Sequence, residues 1–396
     1  MTRIVFFGLP LHGHTNPTLP LVRELVSRGA QITYYSNEAF AEKIKLAGAS
    51  FRPYHRNSLV DIASIPERME QMPYLFMTAV RDVIGGELAR VRDEAPDIII
   101  HDSVAPWGKC IAQLLGVPAV SSVTTFAFNS KVVRLGAGAK PKSFSAALSK
   151  LHHIAKALRV RKEIRKYYGV KGPALLDLYV GREQLNIVYT STYFQPFAAT
   201  FDHRYKFVGP LISDRREQTD FLLEEIADEK LVYVSLGTLF NEDEGFYRSC
   251  FAALGHTDCR VIVSTGGRTV EELGAVPGNF IVRSFVPQLE VLRRASAFIT
   301  RGGMNSVSES LYFGVPVLVI PHMAEQMVVA RRVEQLGAGV HVKKADATSR
   351  RIGEAVQRLM ADEAYRRNSR LIGDSFRAAG GVKSAADEVL RMLAFH

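Results

Sequence analysis

The segment AFITRGGMNS, residues 297–306, decides the fold class. Residues 297–300 suit a buried strand, and the pair Gly302-Gly303 leads directly into a helical segment. A strand that turns straight into a helix is the repeating step of a parallel sheet covered by helices. The free N–H groups at the start of such a helix can hold a diphosphate. Taken by itself, an ordinary glycine-containing turn is the simpler interpretation of this segment.

The same alternation of strands and helices extends over both halves of the chain. The strands predicted in the second half are residues 231–235, 260–264, 280–285, 297–300 and 316–320. Those predicted in the first half are residues 3–8, 31–36, 97–101 and 117–121. The sequence therefore predicts an α/β protein with two doubly wound, Rossmann-like sheets facing each other across a deep cleft.

This pattern divides the chain into segments. Residues 1–210 form the predicted N-terminal domain, and residues 230–375 form the predicted C-terminal domain. A polar stretch between them, residues 209–229, is the predicted junction. Residues 376–396 are predicted as a C-terminal helix that packs back on the first domain.

Composition narrows the function classes only slightly. The 396 residues carry a formal net charge of +10, which would attract phosphates, membranes or nucleic acid alike. No motif beyond that charge suggests nucleic-acid binding, so no such partner is predicted. The three cysteines have no paired or metal-ligand spacing, and the first apolar run, residues 4–11, is too short for a signal peptide core. These features favour a reducing, cytoplasmic location.

A polar loop, LHGHTNP at residues 11–17, follows the first strand. Its second imidazole, His14, precedes the proline that is expected to open the next helix, so the ring can point into the cleft. A histidine in that place suits a general base, although a histidine that only caps the turn is the simpler alternative.

Together these motifs resemble family 1 glycosyltransferases of the bacterial macrolide and small-molecule type, which have the GT-B fold. The resemblance spans nearly the whole chain. It implies that residues 1–210 bind the acceptor and that residues 230–375 bind the nucleotide sugar. It rests on the order and spacing of GHTNP at 13–17, VSLGT at 234–238, FVPQLEVL at 285–292, RGGMNSVSES at 301–310 and PHMAEQ at 321–326.

The resemblance implies an inverting, metal-independent transfer of a sugar, glucose by the position of Gln326, from a UDP-sugar to a hydroxyl of an apolar acceptor. Macrolides, flavonoids and other phenols are the implied acceptors, and no cofactor is needed. His14 would be the base and Asp102 the group that orients its ring. The residues implied to bind the donor are Thr238, Phe285, Val286, Gln288, Arg301, Gly303, Asn305, Ser306, Glu309, Glu325 and Gln326.

Within the donor set, Phe285 and Val286 would meet the base. The diphosphate would lie on Thr238, Gly303, Asn305 and Ser306, the ribose on Glu309, and the sugar on Glu325 and Gln326.

Arg301 departs from the family pattern, in which a histidine precedes the glycine pair. Its position predicts a side chain that emerges at the mouth of the phosphate site, where a guanidinium could grip phosphate or crowd it. Two alternatives to the transferase therefore stay open: a nucleotide-sugar epimerase or hydrolase on the same fold, and a weakly active nucleotide-sugar binder. A dehydrogenase is disfavoured because the first turn lacks G-x-G-x-x-G.

Two further features of the sequence each have two interpretations. Two stretches that contain methionines and aromatic residues would either line an acceptor pocket or pack in the core; their residues are Met69, Met72, Phe76, Met77, Thr125 and Phe126. Residues 150–171 hold eight lysines and arginines against one acid and would either form a solvated helix face or make a weak peripheral contact with an anionic membrane. Acceptor identity and oligomeric state have no signal in the sequence.

Overall fold

The computed structural model describes residues 1–55, 71–136, 144–175, 177–180, 182–212, 230–237, 243–267 and 273–394. Within them the chain builds two parallel sheets, each flanked by helices. Most residues of the central strands are apolar and buried, as expected for strands that helices cover on both faces.

The first sheet has the order β3-β2-β1-β4-β5-β6-β7. Its strands are β1 (Arg3–Phe7), β2 (Gln31–Ser36), β3 (Ser50–Pro53), β4 (Ile98–Asp102), β5 (Ala119–Val123), β6 (Leu185–Val188) and β7 (Tyr205–Phe207). The helices of this half are α1 (His12–Thr15), α2 (Leu19–Ser27), α3 (Ala41–Leu46), α4 (Met72–Glu94), α5 (Pro106–Leu115), α6 (Ser130–Gly136), α7 (Phe144–Tyr168) and α8 (Asp177–Val180).

The second sheet has the order β10-β9-β8-β11-β12-β13. Its strands are β8 (Leu231–Ser235), β9 (Arg260–Ser264), β10 (Phe280–Arg283), β11 (Ala297–Thr300), β12 (Val317–Val319) and β13 (Gly339–His341). The helices are α9 (Glu244–Leu254), α10 (Gln288–Arg294), α11 (Met304–Tyr312), α12 (Ala324–Gln335), α13 (Ser349–Ala361), α14 (Glu363–Ala378) and α15 (Gly381–Ala394).

Alternate side chains of β1 enter two different cores, because successive residues of a strand point to opposite faces. Phe6 stacks on Tyr34 with ring centres 4.5 Å apart, in the layer that includes α2 and α15. Phe7 lies in the opposite layer, formed by α4 and α5. The C-terminal end of β1 is therefore packed against apolar side chains on both faces of the sheet.

An apolar contact joins the two domains. Phe126 packs on Phe194 at 5.3 Å, and Phe194 meets Phe376 edge-on at 5.5 Å. These rings belong to one buried cluster with residues of α12. The side chain of Arg332 in α12 donates a hydrogen bond of 2.9 Å to the carbonyl of Phe194. The last helix, α15, crosses to the first domain and packs on α2, where Arg28 and Asp387 form an ion pair. Both contacts fix how the domains face each other.

The 25-residue helix α7 lies along α4 and buries Ala157, Val160 and Ile164 there. In the ranges given above, no helix has both the length and the apolar character needed to cross a membrane.

The predicted α/β class with two parallel sheets is confirmed, and four of the predicted strands have the predicted bounds: β2, β8, β9 and β11. The sequence-based prediction missed β3, β6, β7 and β13, each only three or four residues long. Runs that short show little periodicity, and pairing with a longer neighbouring strand is what makes them strands. All three cysteines are buried and free, as their spacing predicted.

Candidate active site

The site lies where the carboxyl ends of the two sheets meet. A narrow recess lies between the turn after α1 and the start of α11. Residues of both domains and of the segment that leaves β7 line it: Asn16, Pro17, Tyr189, Pro210, Leu211, Ile212, Asn305 and Glu309. Ligands of open α/β sheets bind at such crevices.

His14 and Asp102 meet at the edge of the first sheet. The chain becomes helical at His12, so His14 lies in the short α1 rather than in an open loop. Its Nδ1 is 2.8 Å from Oδ2 of Asp102, the last residue of β4. The carboxylate is almost fully buried, and its other oxygen accepts the N–H of Val104 at 2.8 Å. A carboxylate can only accept, so Nδ1–H donates to it and Nε2 is the basic atom of the neutral ring.

The electrostatic surroundings raise the pKa of His14. Burial alone would lower the pKa of this imidazole, but the adjacent Asp102 carboxylate and Glu325 of the second domain together outweigh that effect. The pKa of His14 is therefore raised above its ordinary value of 6.5. A pKa nearer the working pH makes a histidine a more effective general base.

The effect of two neighbouring groups on His14 could not be predicted from the sequence. The hydroxyl of Thr124 lies 3.1 Å from Nδ1 of His14, although Thr124 and His14 are 110 positions apart. Glu325 acts on the same ring from the other domain. No local pattern marks either contact, since each depends on how β5 and α12 are placed by the folded sheets.

A second buried histidine supports the strand that carries Asp102. His101 is fully buried; its Nδ1 lies 2.9 Å from the carbonyl of Asp102, and its Nε2 lies 3.2 Å from Glu183. Lys109 is 3.2 Å from the same carboxylate. Burial raises the pKa of Glu183, but His101 and Lys109 outweigh it and hold that pKa below the usual range. This polar group anchors the end of β4 to α5.

The glycine pair shapes the start of α11. Gly302 has φ +90°, and a Cβ there would lie 2.6 Å from a methyl of Val319. A larger residue would both clash and be strained, so only glycine fits. Gly303 precedes the helix with open space around it, which leaves room for a ligand to approach the backbone. Asn305 and Ser306 follow in the first turn, both partly exposed.

The residues proposed for the base and ribose lie at the same edge. Phe285 is 56% exposed, with its ring beside Gly267, whereas Val286 is buried. Gln288 donates from Nε2 to Glu309 at 2.5 Å and accepts from the Tyr233 hydroxyl at 3.1 Å. The structure thus brings Gln288 against Glu309, which lines the recess, while Phe285 lies near Gly267.

Glu325 and Gln326 begin α12. Glu325 is exposed, and Gln326 is partly buried. The Gln326 oxygen accepts the N–H groups of His322 and Met323 at 2.8 and 3.1 Å, so its amide N–H₂ group is the end that can donate to a sugar hydroxyl.

The prediction for the side chain of Arg301 is wrong. Its side chain does not emerge at the mouth of the site: only 4% of it is exposed, and its Nη2 lies beneath Gly237. Burial lowers the pKa of Arg301 to about 10, an effect that Tyr247 and Asp243 partly oppose. Inside the domain its charge lies near Asp243, which caps α9, and Tyr247 of α9.

The acceptor prediction needs a correction. Met77 and Phe126 have no exposed surface, because Met77 packs under the first sheet and Phe126 between the domains. Both are core residues. Phe76 and Thr125 are also buried, each with 7% of its surface exposed, whereas Met72 is partly exposed. Met69 and Thr238 lie outside the described residues.

Comparison with known proteins gives consistent matches. Residues 248–389 match the family described as "Erythromycin biosynthesis protein CIII-like, C-terminal domain". The chain is 37% identical to the uncharacterized UDP-glucosyltransferase YojK of Bacillus subtilis, over 98% of this chain and 97% of the relative. It is 35% identical to the NDP-glycosyltransferase YjiC of the same organism, over 98% and 96%.

A solved structure, the calicheamicin glycosyltransferase CalG4, superposes with a TM-score of 0.80 at 29% identity, covering 100% of this chain and 98% of that one. The glycosyltransferase of kitacinnamycin superposes with a TM-score of 0.82 at 28% identity, covering 98% of each. Both likenesses span the two domains.

Proposed function

The chain belongs to the bacterial macrolide-type family 1 glycosyltransferases, and we propose that it transfers glucose from UDP-glucose to a hydroxyl of a small apolar acceptor. The observation that carries this proposal is the hydrogen-bonded pair of His14 and Asp102, which lies beside the start of α11, where Asn305 bonds the carbonyl of Gly13. The pair offers a base, and the helix offers a site for a diphosphate.

The proposed reaction is a single displacement. Nε2 of His14 takes the proton of the acceptor hydroxyl, and that oxygen forms a bond to the anomeric carbon of the donor. The bond from this carbon to the diphosphate oxygen breaks, and UDP leaves with the electron pair. Attack from the side opposite the leaving group inverts the anomeric configuration. Asp102 stabilises the imidazolium that forms.

The leaving diphosphate would lie at the start of α11. There the backbone N–H groups after Gly303, together with Asn305 and Ser306, supply donors, and the positive end of the helix dipole opposes the developing charge. These groups act without a metal ion in the proposed mechanism.

The choice of donor and acceptor rests on two supports. Relatives of the chain include proteins named UDP-glucosyltransferase, at 37% and 30% identity. Others are named oleandomycin glycosyltransferase and demethyllactenocin mycarosyltransferase, at 29% and 28% identity. The partly exposed Met72 at the start of α4 offers an apolar side chain for an acceptor of this kind.

One experiment tests the proposal directly. The purified protein is incubated with UDP-glucose and a panel of phenols, flavonoids and macrolides, and products are examined by mass spectrometry and by NMR at the anomeric proton. We expect hexose adducts with the β configuration from the α-linked donor. His14→Ala is the negative control, since it should retain UDP binding but lose transfer.

Other outcomes would contradict the proposal. Release of free glucose without any adduct would indicate a hydrolase, and UDP binding without turnover would indicate a nucleotide-sugar binder. Conversion of UDP-glucose to an isomeric UDP-hexose would indicate an epimerase. An α-configured adduct would overturn the inverting displacement.

A further inference from the structure

Helix α7 exposes a continuous ridge on the side away from α4. Leu151, Ala155 and Leu158 follow one another along it, and Lys162 and Arg165 continue it. The spacing of three and four residues keeps these five side chains on one side of a helix. They are called the α7 outer face below. Its orientation is settled by contacts, because Ala157, Val160 and Ile164 are buried on the opposite side.

The apolar part of this face is unusually open to solvent. Leu151 is 62% exposed and Leu158 is 40% exposed, in a chain whose other large apolar side chains are mostly buried in the described regions. Clustered exposed apolar groups mark interaction surfaces more often than a single exposed leucine does.

The charges around the face have a single sign. Arg159 and Lys166 are exposed beside Lys162 and Arg165. The acid of residues 150–171, Glu163, turns aside and pairs with Arg81 of α4 at 3.1 Å. Lysines and arginines beside exposed leucines are the composition of a helix that lies in a membrane interface, with its apolar groups in the lipid and its cations on the headgroups.

We propose that the α7 outer face binds peripherally to membranes that contain anionic phospholipid. A nucleic acid would satisfy the cations but would offer nothing to Leu151 and Leu158, so the lipid surface accounts for both halves of the face. The binding needs neither donor nor acceptor. A consequence, which rests on the proposed function, is that α4, with Met72 and Phe76 at its start, lies directly behind α7 and close to the bilayer, where apolar acceptors accumulate.

Cosedimentation with vesicles tests this surface. The protein is mixed with phosphatidylcholine vesicles with or without phosphatidylglycerol, in the absence of substrates. We expect binding only when phosphatidylglycerol is present, and its loss at about 1 M salt, where the screening length falls to roughly 3 Å. Binding to both kinds of vesicle alike would overturn the electrostatic part of the proposal.

Matched variants separate this face from overall charge. Lys162→Glu with Arg165→Glu should lower the apparent partition coefficient at least about tenfold. Arg350→Glu with Arg351→Glu, at exposed positions of α13, changes the net charge equally and should leave binding nearly unaffected. An equal loss from both double variants would show that net charge alone acts, which would overturn the proposal.

A further double variant tests the exposed leucines of the α7 outer face. Leu151→Ser with Leu158→Ser leaves the charge unchanged and should also weaken vesicle binding, while thermal melting stays near that of the unmodified protein because both side chains are exposed. If these serines leave vesicle binding intact and duplex DNA competes for it equally well, the face is a general polyanion site and the proposal fails. Hexose transfer in solution is assayed separately, so either proposal can fail alone.

Discussion

The side-chain amide of Asn305 donates a hydrogen bond of 2.5 Å to the backbone carbonyl of Gly13. Gly13 precedes His14 in α1, and Asn305 lies in the first turn of α11, so this bond crosses from one domain to the other. The residue proposed to hold the donor diphosphate thus also fixes the segment that carries the proposed base. On the proposed roles, one side chain would link binding of the donor to placement of the base.

Replacing Asn305 should therefore affect donor use. Asn305→Ala removes an amide donor from the diphosphate site, and hydrogen bonds to charged groups contribute about 1.5–3 kcal/mol, so the Kd for UDP should rise about 10- to 100-fold. Isothermal calorimetry measures it. Asn279→Ala is the matched control, because that amide also bonds carbonyls of the second domain, those of Leu254 and Cys259. The control should lose stability and keep its UDP affinity; an equal loss of affinity in both would contradict the assignment.

His14→Ala should lower turnover by about 10²–10⁴-fold, the usual contribution of a general base. The loss should be smaller for an acidic phenol, which gives up its proton more readily. His12→Ala is the control: its ring packs edge-on against Phe40 at 4.9 Å, and its loss should leave the rate largely intact. Steady-state kinetics on both variants decide the matter, and normal turnover in His14→Ala would remove His14 from the mechanism.

The fall in activity at low pH (the acidic limb of the pH profile) should reflect protonation of His14. The neutral imidazole is the base, so kcat/KM should fall as pH drops through its raised pKa, with a midpoint above 6.5. In Asp102→Asn the carboxylate no longer offsets burial, so the midpoint should move to lower pH while the maximal rate also falls. Thr124→Val should change the limb less than Asp102→Asn. A limb that stays in place in Asp102→Asn would show that another group titrates.

Transfer should not depend on a divalent metal. The N–H groups and dipole at the start of α11 can stabilise the leaving diphosphate by themselves. Activity measured after exhaustive treatment with EDTA should equal the untreated value. Loss of activity that magnesium or manganese restores would contradict this mechanism.

Arg301→Ala should act mainly on stability. The side chain is 4% exposed and lies beneath Gly237, so its removal should lower the free energy of unfolding by about 1–3 kcal/mol, as expected when buried polar groups lose a partner. Chemical denaturation measures this, with the exposed Arg367→Ala as control. A large loss of UDP affinity without a change in stability would mean that Arg301 reaches the donor after all.

The sequence by itself determined the alternation of strands and helices, the two-domain architecture and the positions of the main motifs. These features are local: a run such as LVYVS at 231–235 or AFIT at 297–300 is recognisable because burial on both faces demands continuous apolar residues. The segment RGGMNS likewise places a glycine where φ is positive and a helix start beside it.

Only the tertiary structure decided which side chains reach the cleft. Arg301 stands next to the glycine pair yet turns inward, and Met77 and Phe126 fill cores instead of a pocket. Thr124 and Glu325 act on His14 from strands and helices distant in sequence. The direction of a side chain at the edge of a sheet depends on which neighbours cover that edge, and those neighbours are brought there by the packing of two domains that share an apolar contact.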